Sequence, residues 1–274
     1  MRYPAVAGSF YPSDEKSLHN SLVRMFEKAK DVEKFEKVFA AVSPHAGYMY
    51  SGQTAAYTFA TIKKAYDSPP LFVILGPNHT GYGAEVSVST EDWLTPLGKV
   101  KSDAEFASLM VDNSKYMELD EVAHAYEHSI EVQLPFIQFL YQDFRFVAVC
   151  VGRHELGVVE DIAGAIARAE EQSKKDIIVI ASSDFTHYES AASANKKDFD
   201  AMENVKNLDY RGFVEKVLMK RYSICGFSPI AVSIAYSKTK GAKKSVLVKY
   251  TNSGDASGDY SSVVAYASIV FVNE

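Results

Sequence analysis

Short, uniformly apolar runs that recur along the chain and alternate with helical patterns constrain its fold more than any other feature. Strands covered on both faces read as unbroken Val, Ile, Leu and Ala, and such strands belong to sheets packed between helices. The expected strands are Val38 to Ser43, Leu71 to Gly76, Glu85 to Ser89, Phe144 to Val151, Asp176 to Ser182, Ser245 to Thr251 and Val263 to Val272. Helical patterns fall at Ser17 to Ala29, Gln53 to Ala65, Ala104 to Asn113, His128 to Tyr141, Val158 to Gln172, Ala192 to Asn207 and Pro229 to Ser237. This order predicts an α/β fold with a mixed, largely parallel central sheet and helices on both faces. No Pro/Gly/Ser-rich linker divides the 274 residues, so one domain spanning 1–274 is expected.

Composition narrows the function classes. Hydrophobic residues make up 47% and charged residues 23%, the balance of a globular chain with a sizeable core. The formal net charge of −6, from 29 basic and 35 acidic side chains, supplies no cationic footprint for a polyanion, so nucleic acid is not an expected partner. Lys238, Lys240, Lys243 and Lys244 read as a solvated turn between two elements. No apolar stretch approaches bilayer length and the first residues lack signal-peptide character, so a cytoplasmic protein without a membrane partner is expected. With Cys150 and Cys225 the only cysteines, a disulfide framework is excluded.

The chemistry collects after the strands, where open α/β sheets bind ligands. One strand leads into Ser43-Pro44-His45-Ala46-Gly47, another into Gly76-Pro77-Asn78-His79-Thr80, and a third into Ser182-Ser183-Asp184-Phe185-Thr186-His187. A lone histidine in such a loop is usually satisfied by a carbonyl. Three on one rim, with Pro and Gly flanking His45 and His79, point to side chains aimed at a shared site. Asp184 has two readings of equal weight: a helix cap, or an acceptor that fixes the tautomer of a histidine and leaves His187 for proton transfer.

In Glu127-His128-Ser129-Ile130-Glu131, His128 and Glu131 are expected one helical turn apart on the pocket side, with His124 on the surface. Cys150 sits in an apolar strand and reads as a small hydrophobe. Cys225 precedes Ser228, the expected N-cap, and Pro229, the expected first helical residue; a thiol there tends toward thiolate. Gly226 beside it would permit close backbone approach. Cys225 could be a nucleophile with His187 as base and Asp184 as orienter. A metal site explains more, because His45, His79 and Cys225 then act together and leave a position open for water or substrate.

These motifs, with Ala7-Gly8-Ser9-Phe10-Tyr11 and Ile224-Cys225-Gly226, run nearly end to end and resemble the Memo family, proteins related to the mediator of ErbB-receptor-driven cell motility. The resemblance implies a fold similar to class III extradiol dioxygenases, non-haem iron enzymes with two histidines and a glutamate as ligands. It places His45 and His79 at the histidine positions, Cys225 at the glutamate position and His187 at the acid/base position, with His128 and Asp184 lining the pocket. It also implies iron or copper as the metal and a radical-SAM partner, while the ligand set itself leaves zinc as a further option.

The leading expectation is a metal-dependent redox protein or oxidoreductase acting on a small molecule, with His187, Asp184 and His128 as its catalytic groups. A non-catalytic adaptor for a peptide or partner protein and a Cys- or zinc-dependent hydrolase are the alternatives. Substrate and oligomeric state are not legible in the sequence.

Overall fold

The computed structural model describes residues 1–273. The strands are β1 (Val38–Ser43), β2 (Leu71–Pro77), β3 (Val86–Ser89), β4 (Trp93–Thr95), β5 (Gly98–Ser102), β6 (Glu118–Leu119), β7 (Arg145–Val151), β8 (Ile177–Ser182), β9 (His187–Glu189), β10 (Lys244–Asn252) and β11 (Val263–Val272). The helices are α1 (Glu15–Lys28), α2 (Tyr48–Ala65), α3 (Ala104–Asp112), α4 (Leu134–Leu140), α5 (Leu156–Ser173), α6 (Ala191–Lys206), α7 (Tyr210–Lys220), α8 (Phe227–Thr239) and the single turn α9 (Gly254–Ser257).

The main sheet runs β10-β11-β1-β8-β2-β7-β3-β6. Its centre, β1-β8-β2-β7, is parallel, while β11 joins β1 and β3 joins β7 antiparallel, giving the mixed α/β sheet that the apolar runs predict. Alternation along the central strands feeds two cores. In β2, Phe72 and Ile74 pack with residues of α1, α2 and α4, whereas Val73 and Leu75 face α3, α5 and α8. Each such side chain, fully buried, contributes roughly 1.5–3 kcal/mol, so both layers are held by the same strands.

The departures from the expected elements have local causes. The helix expected from His128 begins at Leu134, after a 3-10 turn over Glu131–Gln133. Pro135 lacks an N–H, and its ring would clash with the carbonyl four residues back in a longer helix. His128 therefore lies outside the helix, in the loop before the 3-10 turn. The helix α7 was not expected; Gly212 in its first turn and the exposed Leu218 and Met219 near its end blur the apolar stripe that would reveal it. Asp209 caps it, accepting from the Gly212 N–H at 3.0 Å. No helix among the described residues is long and apolar enough to cross a membrane.

Because β1, β8 and β2 are parallel neighbours, their carboxyl ends share one rim. Strands lie about 4.8 Å apart, so the loops after β1 and β2 start about 10 Å apart with β8 between them. Gly76, at the end of β2, lets the loop carrying Ser129 come close: a Cβ there would lie 2.3 Å from Ser129 Oγ.

Candidate metal centre

His45 follows β1 and His79 follows β2, and both rings lean inward over the end of β8 until their centroids are 5.2 Å apart. His128 completes the group from the loop ahead of α4, 4.7 Å from the His79 ring and 5.3 Å from that of His45. One nitrogen from each of the three can be chosen so that all lie within 4.8 Å of one another.

The hydrogen bonds decide which nitrogens are available. Ser182, the last residue of β8, has one hydroxyl proton, and the 2.6 Å contact to the Ser129 carbonyl uses it. The other contacts at its oxygen must then come from donors: the Gln133 amide at 2.8 Å and the ring N–H of His45 at Nδ1, 2.9 Å away. His45 thus presents a lone pair at Nε2. His79 donates from Nδ1 to Glu127 at 2.9 Å, and its own backbone N–H donates to the same carboxylate at 2.7 Å. His128 Nδ1 faces that carboxylate at 3.4 Å. Three imidazoles are therefore oriented from behind with Nε2 turned forward, that of His45 facing Cys225 Sγ, the arrangement by which outer carboxylates and hydroxyls tune metal-binding histidines.

Electrostatics agree with this arrangement. Burial, together with the neighbouring His128 and His79, holds His45 well below the usual histidine range, and burial also lowers His128. Neutral imidazoles are the form that ligates. Burial alone would raise the Glu127 carboxyl, but the hydrogen bond and charge of His79 and the Ser129 N–H bring it down to about 2. It stays a carboxylate.

Cys225 stands beside this group, its Sγ 3.2 Å from His45 Nε2. Its thiol is not the activated one expected at a helix start: burial, with the Asp184 carboxylate nearby, pushes it up. The helix begins at Phe227 with Gly226 as its cap, and Ser228 instead meets His154 Nδ1 at 2.9 Å. The close approach expected of Gly226 is present, since a Cβ there would lie 2.5 Å from the Ser182 carbonyl oxygen.

Three further expectations are corrected. Asp184 does not orient a histidine ring; its Oδ1 accepts the backbone N–H of His45 at 2.8 Å, and burial raises its carboxyl to about 6. Glu131 turns away from the pocket to bind Arg2 at 2.7 Å, the Tyr11 hydroxyl at 2.6 Å and the amides of Ala5 and Val6. His124 is buried, not on the surface, and donates from Nε2 to the Ser87 carbonyl at 3.1 Å.

Arg2, stacked over Trp93 at 4.1 Å, donates to the carbonyls of His124 and Glu127, so the N-terminal segment is sewn onto the loop that carries His128. Phe10 then packs against His128 with ring centroids 4.7 Å apart.

His45, His79, His128, Asp184, His187 and Cys225 all line one cleft of about 960 Å³. Antiparallel β11 brings Val264 and Tyr266 to the same rim, and its pairing with β9 sets His187 at the cleft wall. His187 donates from Nδ1 to the Ser223 carbonyl at 2.8 Å, leaving its Nε2 as an acceptor. Sequence reasoning missed Glu127, Ser182, Gln133 and Arg2. An acid directly before His128 is a signal for the first, but the partners of the others lie 49 to 137 residues away.

Fold and site together define an α/β protein whose strand-end cleft gathers three imidazoles able to hold a metal ion. The family described as Memo-like protein matches residues 2–270. A "MEMO1 family protein" of Methanosarcina mazei is 44% identical over 271 residues, covering 98% of both chains. Another from Archaeoglobus fulgidus is 44% identical over 272 residues, covering 99% of both. The chain belongs to the Memo family. Among solved structures, an uncharacterized protein, JW3007, from Escherichia coli K12 shares the fold with a TM-score of 0.55 at 13% identity, over 85% of this chain and 100% of that one.

Proposed function

We propose that this protein is a metal-dependent oxidoreductase in which His45, His79 and His128 hold iron or copper and Cys225 lies against the metal. The observation that carries the reading is that one nitrogen from each of three imidazoles lies within 4.8 Å of the others, with His45 and His79 held at Nδ1 by Ser182 and Glu127 so that Nε2 is left for the site. Imidazole with a neighbouring sulfur suits these metals, and a bound ion would supply Lewis acidity and electron transfer.

The chain's own groups supply the rest. His187, anchored through Nδ1, can take or return a proton at Nε2 on the far wall of the cleft. Asp184 holds the His45 backbone in place. The Cys225 thiol lies 3.2 Å from His45 Nε2, and a cation held there would displace its proton. Among the described residues no lysine or arginine lines the cleft, so an adaptor for phosphorylated ligands would lack the cations it needs.

Metal analysis after anaerobic purification without a tag tests the reading. The wild type and His187→Ala should carry about one iron or copper per chain, and His79→Ala should carry neither. Metal-free wild type that fails to take up Fe(II) or Cu(I) on titration would overturn it.

A further inference from the structure

A histidine that moves a proton has to keep its ring aimed, and the chain on both sides of His187 is held by one helix. Thr186, just before it, is fully buried, and each of its polar atoms is engaged. Its N–H and hydroxyl donate to Asp198 Oδ1 at 3.1 and 2.6 Å, and its carbonyl accepts from the Ala265 N–H at 2.9 Å. Glu189, at the end of β9, accepts from Ser193 Oγ and Lys197 Nζ, each at 2.6 Å. Ser193, Lys197 and Asp198 all belong to α6, so this helix grips the chain before and after His187.

The two grips are of different kinds. Lys197 and Glu189 are part exposed, and water screens such a pair. Asp198 is fully buried, and its second oxygen accepts from the Tyr250 hydroxyl at 2.7 Å. Burial raises its carboxyl to about 6 against the pull of the Thr186 and Tyr250 donors, so above that pH it is a carboxylate. A carboxylate accepts and cannot donate, which leaves the Thr186 hydroxyl proton one direction and makes the bond a strong one. Tyr250 stands on β10, the partner of β11, and β11 supplies the Ala265 N–H that holds the other side of Thr186. Asp198 thus joins helix and sheet at the residue before His187. With Thr186 fixed there, the His187 N–H meets Ser223 Oγ at 2.9 Å and its Nδ1 meets the Ser223 carbonyl at 2.8 Å.

We infer that Asp198 is a positioning residue for His187, acting through Thr186 to keep the ring proton at Nδ1 on the Ser223 carbonyl and Nε2 open to the cleft. It acts at one remove, since it does not line the cleft itself. The inference rests on His187 being the proton-transfer group of the proposed function, and on no particular metal.

Long-range proton–nitrogen NMR of metal-free, full-length protein at about pH 8, where imidazoles are neutral, reads the tautomer of each histidine; the His187 signal is assigned by its loss in His187→Gln. Wild type should carry the proton at Nδ1. In Asp198→Ala that population should fall by roughly half or more as the ring leaves the Ser223 carbonyl. Asp198→Asn keeps an acceptor for Thr186 and should restore most of it. Lys197→Ala should leave it as in wild type. His124, with its proton at Nε2 on the Ser87 carbonyl, is the internal reference and should not change. An unaltered His187 tautomer in Asp198→Ala, or an equal change at His124, would show a merely structural tether and overturn the inference. Should Asp198→Ala not fold, Thr186→Ser and Thr186→Val ask the same question, because serine keeps both donors and valine loses the hydroxyl. Identical His187 tautomers in those two would overturn it as well. Failure here with metal uptake intact would leave the metal centre standing, whereas absent metal uptake with the tautomer under Asp198 control would overturn the proposed function alone.

Discussion

The imidazole wall of the cleft rests on buried strand ends, whereas the wall facing it is carried by the three-residue strand β9 and the loop before α8. His45 and His79 follow adjacent parallel strands, and their Nδ1 atoms are held by Ser182 and Glu127, both fully buried. On the other side, Cys225 and His187 are held by main-chain atoms: the Asp184 N–H reaches Cys225 Sγ at 3.3 Å, and the Ser223 carbonyl receives His187. The contrast teaches where rigidity is spent. A site that must present three lone pairs to one point needs fixed rings, while a wall that handles protons and ligand needs room to adjust.

The sharpest way to break the comparison is to remove what ties the N-terminal segment to the imidazole wall. Arg2→Ala leaves Glu131 buried without its cation, although the Tyr11 hydroxyl and two amides remain on it. A loss of about 3–5 kcal/mol in urea unfolding is expected. A loss below about 1 kcal/mol would show that the segment does not support the wall.

A pH ramp should separate the supports of the two walls, because they titrate with opposite sign. Burial lowers His124, beneath the imidazole wall, to about 4. Its folded form binds fewer protons than the unfolded chain between about 4 and 6.5, so stability falls as pH drops through that window, by about 3 kcal/mol at most. Asp198 accepts from the backbone N–H and hydroxyl of Thr186, next to His187, and burial raises its carboxyl to about 6. It opposes: its contribution is present at low pH and is lost as pH rises from about 4 to about 6. Asp198→Asn should therefore remove a decline with rising pH and leave a steeper net gain. An NMR titration of His124 with a midpoint near 6.5 would contradict the first half.

A smaller effect sharpens the account of the fixed rings. Glu127→Gln keeps the shape but removes the charge that draws the N–H groups of His79 and His128. Metal affinity should fall about 10- to 100-fold by competition titration, with His187→Ala changing it less than threefold. Equal losses in the two variants would erase the distinction between the walls.

Much of the architecture was legible because each strand carries its own signal. The bounds expected for β1 and β11 match those observed, since doubly covered strands are apolar along their whole length. The helix before Pro135 was overcalled for the opposite reason: periodicity continued through His128 while proline chemistry forbade the turn.

The sequence by itself determined that reactive residues follow parallel strands, and hence that His45, His79 and the Asp184–His187 segment share a rim. Only the tertiary structure decided their division of labour. It brought His128 into the donor group, set Cys225 against His45, turned Glu131 outward to Arg2 and buried His124. Strand order and burial run along the chain and can be read there, whereas a hydrogen bond between residues more than a hundred positions apart depends on which loops meet, and local propensity carries no record of that meeting.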